Sequence, residues 1–400
     1  LQVNVPSRDE LQTLGQALEA LAHDLGEAEK QAKEVKVGKE VQQAFIPLNP
    51  PGRKHARTIA ALREGGIELF GYYEGASGVS GDYFDFERLS GSQWAFIKSD
   101  SSGHGIPAGL IATMVATLFR NEIEVWKRQY AHSPIAAGAV SAMVGRINDL
   151  VVERGFTGMF ATLFTPVLDT RTGELRFCYA GDNDYRVFRR STASVQEIQF
   201  GGSETLPAAG TFETEMLPNG FPERKDRLER GDALTLFTDG FEDSEYYFRD
   251  KSLSRVSHPA SHFTEAFIDA AGLSAAAREN PETPVYREQF GSARVGELLN
   301  AAFRGEPFVF RRTLGLVDEE LVLDFGRMPQ TPETVALGMA AAATVFRIQP
   351  HPRGMGERAV RFDRNIDTLL RTCFNHYGKY FGHPLPDKER DSQYVWFTHL

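Results

Sequence analysis

Cysteine is scarce in this chain. Its 400 residues hold two, Cys178 and Cys373, far apart and each beside bulky apolar or aromatic residues. Isolated thiols of this kind build neither a disulfide framework nor a zinc site, and they point to a reducing, cytoplasmic compartment. Long apolar runs are missing as well. No stretch approaches the roughly 20 apolar residues that span a bilayer. The run Leu337-Gly338-Met339-Ala340-Ala341-Ala342-Ala343 is short and small-sided, and no segment reads as a signal peptide. Positive charge is in deficit: 44 Lys and Arg against 54 Asp and Glu leave a formal charge of −10. That balance argues against nucleic-acid binding as a main role. No internal repeat is found.

What is present is a soluble globular composition, 42% hydrophobic and 24% charged, long enough for about two to three domains. The chain opens on Leu1 rather than Met, and the expectation is a fragment with membrane or sensor segments upstream. Leu11, Leu14, Leu18, Leu21 and Leu25 are spaced 3-4-3-4, which predicts one helix over 9–36 with a coiled-coil seam and a homodimer built on it. Ser7 and Glu10 form a capping box at its start. The other reading of that seam is an amphipathic helix packed on its own domain. The helix resumes through Val41-Gln42-Gln43-Ala44-Phe45-Ile46 and stops at Pro47, before the turn-rich Asn49-Pro50-Pro51-Gly52.

Residues 66–246 alternate strands and helices. Strands are predicted at 67–73, 94–97, 160–164, 175–179, 186–188 and 233–237. Helices are predicted from Pro107 to about Lys127, and from Pro134 to about Arg154 with Ser133 as N-cap. Strand pairs followed by helix pairs indicate an α+β fold with helices packed on sheets. Beyond 247, helices are predicted after Phe290-Gly291 and over 366–377, with strands at 308–310 and 320–323.

Three aspartates stand where an apolar strand breaks into a glycine-containing turn. They are Asp82 in Ser80-Gly81-Asp82-Tyr83-Phe84-Asp85, Asp100 in Lys98-Ser99-Asp100-Ser101-Ser102-Gly103-His104-Gly105, and Asp239 in Leu236-Phe237-Thr238-Asp239-Gly240. A carboxylate is a hard, acceptor-only ligand, and nearby glycines let backbone and ions approach closely. Three such sites suggest carboxylates converging on a divalent cation such as Mg²⁺ or Mn²⁺. Singly, each is also an ordinary Asp turn.

The order of motifs is more specific than any one of them. Val41 to Pro47, Ser80 to Phe86, Asp100 to Ala108, Met159 to Phe164, Ala180-Gly181-Asp182-Asn183, Leu206-Pro207 and Gly231 to Gly240 follow one another. Over roughly 41–300 this series resembles the SpoIIE/RsbU-type branch of the PPM (PP2C-like) metal-dependent serine/threonine phosphatases. The resemblance implies a β-sandwich flanked by helix pairs, with two Mn²⁺ or Mg²⁺ ions at one end. Asp100 would bridge the ions, the Ser101 carbonyl and Asp239 would be ligands, and Asp82 a direct or water-mediated one. It implies a phosphoprotein substrate, a phosphorylated anti-sigma-factor antagonist. His104 has two readings, proton donor to the leaving oxygen or cap of its turn. Asp85 and Glu87 read as exposed or as partners of ligands, Asp243 as a partner of Asp239, and Arg186, Arg189 and Arg190 as a solvated basic face. Residues 9–18 resemble the second helix of a HAMP signalling module, which implies an inner-membrane anchor upstream. The expected domains are thus 1–47 (HAMP-like linker), 53–300 (phosphatase) and 301–400 (extension or insertion).

Two departures from the family pattern stand out. Asp182 occupies a turn where the family usually has histidine. The family also closes on an Asp-Asp-hydrophobic-Thr strand soon after the Phe290-Gly291 region, and its aspartate is a metal ligand. Here about a hundred residues follow. Asp391 lies near the strand-like Tyr394-Val395-Trp396-Phe397, but in a different order. The chain either stops before that strand, carries an insertion, or has an incomplete second metal site. The alternative function is accordingly a catalytically weak or inactive phosphatase-fold signalling scaffold.

Overall fold

The computed structural model describes residues 33, 37–38, 40–42, 44–47, 59–64, 66–74, 79–103, 105–154, 158–182, 185–198, 206–242, 245–249, 284–314, 317–327, 330–347, 359–362 and 393–399. The helix expected over 9–36, apart from residue 33, lies outside them, as do His104, Asp243, the helix expected over 366–377 and Cys373.

The first strands described are the antiparallel β1 (Ile59–Glu64) and β2 (Ile67–Glu74), then β3 (Tyr83–Arg88) and β4 (Gln93–Ser101). Helices α1 (Gly105–Gln129) and α2 (Ala139–Arg154) follow. Next come β5 (Ala161–Asp169), β6 (Glu174–Ala180), β7 (Tyr185–Arg189), β8 (Ser194–Ile198), β9 (Arg224–Arg227) and β10 (Ala233–Phe237). The antiparallel pair β11 (Glu245–Arg249) and β12 (Pro284–Gln289) precedes α3 (Gly291–Arg304), β13 (Pro307–Leu314), β14 (Val317–Asp324), α4 (Pro332–Arg347), β15 (Ala359–Phe362) and β16 (Gln393–His399).

Two antiparallel sheets form a sandwich. One runs β3-β4-β5-β6-β9 and the other β1-β2-β16-β10-β7-β8. Helices α1 and α2 cover the first, packing on β3, β4, β5 and β6. Helices α3 and α4 cover the second, packing on β7 and β8 and on β2 and β16 respectively. The result is the four-layer α-β-β-α arrangement expected, with β13-β14-β15 as a small separate sheet.

The layers follow from side-chain period. In α1, Ala108, Ile111, Ala112, Val115, Ala116, Phe119, Ile123 and Trp126 recur at three- and four-residue steps and are all buried, the apolar stripe of a surface helix. Each such large side chain contributes about 1.5–3 kcal/mol on burial. Between the sheets, Phe164 and Phe177 of one pack on Tyr185 of the other, with ring centroids 5.2 and 5.3 Å away. Glu122 on α1 takes a two-pronged ion pair from Arg146 on α2 at 2.7 and 2.6 Å.

Three expectations change. Helix α2 begins at Ala139, not Pro134. Gly138 has φ +79°, outside helical space, and its carbonyl accepts the first helical hydrogen bond, from Ala142 at 2.9 Å. A boundary at residue 300 would cut through the second sheet, because β16 lies between β2 and β10. A strand from the chain's far end, β16, therefore completes this sheet: Phe397 pairs with Phe70 on one side and with Thr235 on the other. The sequence hid it because about ninety residues, including β13, β14 and β15, separate α3 from its arrival.

Candidate metal centre

Antiparallel register brings chemically relevant chain ends to one edge of the sandwich. Strand β4 ends there as β3 begins, with Tyr83 opposite Ser99. Strand β10 ends there as β16 begins, with Phe237 opposite Val395. Asp82 precedes β3, Asp100 is the penultimate residue of β4, and Asp239 follows β10 by two residues.

Asp82 is buried and accepts a 3.2 Å hydrogen bond from Thr238 Oγ1, which joins the turn before β3 to the turn after β10. Its own N–H donates to Ser80 Oγ at 3.1 Å. Burial holds the Asp82 carboxyl well above the usual carboxylate range. The Asp100 charge and a hydrogen bond with Asp100 push the same way, then the Asp239 charge, while Thr238 opposes them. Asp82, Asp100 and Asp239 are thus brought into mutual electrostatic reach, graded from buried Asp82 through half-buried Asp100 to exposed Asp239. Ser101 closes against the same turn. Its N–H donates to the Gly81 carbonyl at 3.2 Å, and a Cβ on Gly81 would lie 2.4 Å from its carbonyl oxygen. Only glycine lets these two backbones meet.

This donor set suits divalent cations. Carboxylate and carbonyl oxygens are the ligands Mg²⁺ and Mn²⁺ take, and the charge that raises the Asp82 pKa is what a cation would neutralise. Among the described residues, no three carboxylate, imidazole or thiolate groups already surround one ion position.

Residues 90–279 match the family model for SpoIIE, stage II sporulation protein E. Over these residues, just under half of the chain, the sequence is similar to that family. Protein IcfG of Synechocystis sp. (strain ATCC 27184 / PCC 6803 / Kazusa) is 24% identical over 258 residues, 58% of this chain and 37% of that protein. The chain thus spans well under half the length of this curated relative. Among solved structures, the SiaA-PP2C domain of Pseudomonas aeruginosa matches at 15% identity and TM-score 0.49, over 93% of this chain and 98% of that one. The PP2C phosphatase domain of SpoIIE from Bacillus subtilis, with a fragment of its regulatory domain, matches at 10% identity and TM-score 0.42 over 100% of both chains.

The candidate centre does not gather every acidic or basic residue singled out in the sequence. Asp85 is neither exposed nor at the site. It lies buried under α1, where Arg120 Nε pairs with it at 2.8 Å and Tyr83 Oη donates at 2.8 Å. Burial raises its pKa to about 6 against the opposing pull of Arg120. Glu87 stands one rung along, paired with Lys127 at 3.0 Å. Strand period 2 explains both: Asp85 and Glu87 share the sheet face under α1. Of the expected basic face, only Arg190 is exposed. Arg186 is buried and pairs with Glu197 and Glu242 at 2.7 and 3.1 Å, while Arg189 pairs with Asp226 and Asp232, both at 3.1 Å.

Three contacts around the candidate centre escaped the sequence reading. Thr238 is one. Lys98 is another: its ammonium is buried, 2.5 Å from Asp182 Oδ1, and donates to the Phe237 carbonyl at 2.9 Å. The signal was a lysine in an otherwise apolar strand, two residues before Asp100. The third is Gln42, whose amide Oε1 accepts from Ser80 N–H at 2.8 Å while its Nε2 donates to the Ser80 carbonyl. A cleft of about 970 Å³ opens at the opposite end of the sandwich, among Arg63, Ile67, Gly173 and Arg230. It holds none of the three aspartates, so cleft size and site chemistry disagree; the carboxylates define the site, because chemistry needs ligands rather than volume.

Proposed function

We propose that this chain is a metal-dependent phosphoserine/phosphothreonine protein phosphatase. The observation that carries this reading is the meeting of Asp82, Asp100 and Asp239 at one edge of the sandwich, in and beside the stretch similar to the SpoIIE family. Asp82, Asp100, Asp239 and the Ser101 carbonyl are the groups that would hold two divalent cations. Bound there, Mn²⁺ or Mg²⁺ supplies an acidified water and the positive charge that a phosphate monoester needs for in-line hydrolysis. Asp82, Asp100 and Asp239 hold that charge in place, and Thr238 orients Asp82. Exposed Asp239 leaves the site open to a phosphoprotein. His104 is proposed to hand its proton to the departing serine or threonine oxygen.

Asp391 precedes β16 by two residues. We propose it as the fourth carboxylate, since β16 begins beside the end of β10. The substrate we propose is a phosphorylated anti-sigma-factor antagonist, with residues 9–36 forming a homodimeric input helix and the whole protein membrane-anchored on its cytoplasmic side. Cysteines placed singly at Leu14 or Leu18 should cross-link between chains if that helix pairs.

The enzymatic reading is tested with p-nitrophenyl phosphate and added Mn²⁺. Wild type should turn over, and Asp100→Asn, Asp239→Asn and Asp391→Asn should each lose about 10²-fold or more. A folded wild-type protein with no metal-dependent turnover would leave the scaffold reading in its place.

A further inference from the structure

Lys98, two residues before Asp100 on β4, is paired with Asp182 at 2.5 Å. Lys98 and Asp100 are two residues apart on β4 and so share its inner face, which looks toward the second sheet. The Lys98 ammonium crosses that gap to the Phe237 carbonyl, two residues before Asp239. Asp182 reaches it from the connection between β6 and β7, where the chain passes from one sheet to the other. Both side chains are almost wholly enclosed, with 5% and 3% of their surface exposed.

A buried ammonium is costly without an anion. Three acids of the candidate centre stand close by, and Asp100 is only about 7 Å along the strand, within the sweep of a four-carbon stem. An ammonium turned onto Asp100 would occupy the oxygens a cation needs and cancel one of the charges that attract it. Asp182 removes that competition by taking Lys98 for itself.

We propose that Asp182 is a positioning residue that sequesters Lys98 and so keeps Asp100 and Asp239 available to divalent cations. The proposal rests on the metal-centre reading above. It also accounts for the departure at residue 182: an aspartate stands there because Lys98 stands at 98, and the two form one unit.

The test is calorimetric titration of the 400-residue chain with Mn²⁺, alongside thermal unfolding. Asp182→Asn frees the ammonium, and its Mn²⁺ affinity should fall by about 10- to 100-fold, the range seen when partners of metal ligands are removed. Adding Lys98→Met removes the competitor, and the double variant should return to within about threefold of wild type, whatever its unfolding temperature. A merely structural pair predicts the opposite pattern: both variants lose thermal stability and the double variant gains no affinity. Asp182→Asn binding as tightly as wild type would overturn the proposal. So would a folded double variant that binds ten times more weakly, a result that stands even if Asp182→Asn alone does not fold. Failure of the wild type to bind Mn²⁺ is a separate outcome and sinks the metal-centre reading itself, along with this one.

Discussion

Gln42 holds Ser80 by both ends of its side-chain amide, across 38 residues of sequence. The contact imitates a strand pairing: one side chain satisfies a backbone N–H and a backbone C=O together. Ser80 is two residues before Asp82, so the segment ahead of the first sheet is fastened to the turn that carries a candidate ligand. Packing there is tight, since a Cβ on Gly109 would lie 2.1 Å from Val79 Cγ1 and a Cβ on Gly38 2.9 Å from Val79 Cγ2.

Gln42→Glu should loosen that turn. Glutamate puts an acceptor against the Ser80 carbonyl, at a cost of about 1–3 kcal/mol for the buried mismatch. Phosphatase activity at limiting Mn²⁺ should fall roughly tenfold, while saturating Mn²⁺ recovers most of it. An unchanged metal-activation curve would show that the clamp has no bearing on the site.

Gly81→Ala should be more damaging than its size suggests. The added methyl would lie 2.4 Å from the Ser101 carbonyl oxygen, and backbone has nowhere to move without parting β3 from β4. Overpacking of this kind costs about 1–3 kcal/mol. The expected result is a folded protein by circular dichroism with turnover reduced at least 10²-fold. Near-normal turnover would mean that the Ser101 carbonyl is not needed at the centre.

Asp85 gives the fold a dependence on pH. Its pKa is raised to about 6, so the native state keeps a proton that the unfolded chain releases nearer pH 4. The stability it contributes is fully present below about pH 4 and is lost as pH rises through about 6, by about 2–3 kcal/mol in all. Asp85→Asn should lack this decline. Urea midpoints of both proteins at about pH 4.5 and about pH 7.5 decide it: the variant should gain on wild type at the higher pH. Parallel pH profiles would place the charged carboxylate at no disadvantage in the fold.

His104→Gln separates proton donor from turn cap. A donor matters only when the leaving oxygen is basic. Hydrolysis of a phosphoserine peptide should then fall by about 10²-fold or more, and that of p-nitrophenyl phosphate should hold within about threefold, since its phenolate leaves unaided. Equal losses on both substrates would assign His104 to the turn.

Much of this protein was legible from local pattern. The apolar stripe of α1, the hairpin of β5 and β6, and the three Asp turns depend on residues near one another, and short-range sterics and side-chain period decide them. The order of motifs carried the α-β-β-α sandwich. Non-local pairing was out of reach. Nothing local distinguishes β16 from another apolar run, and its place between β2 and β10 is fixed by hydrogen bonds to residues more than 150 positions away. Nor does composition tell that Asp85 is buried against Arg120 while Asp82 faces Asp100, since both lie in one six-residue stretch. The three aspartates, and the metal chemistry proposed for them, were read from the sequence alone. Their meeting at one edge, with Lys98 held off them by Asp182, was decided only when two sheets stacked and brought β4, β10 and the β6–β7 connection together.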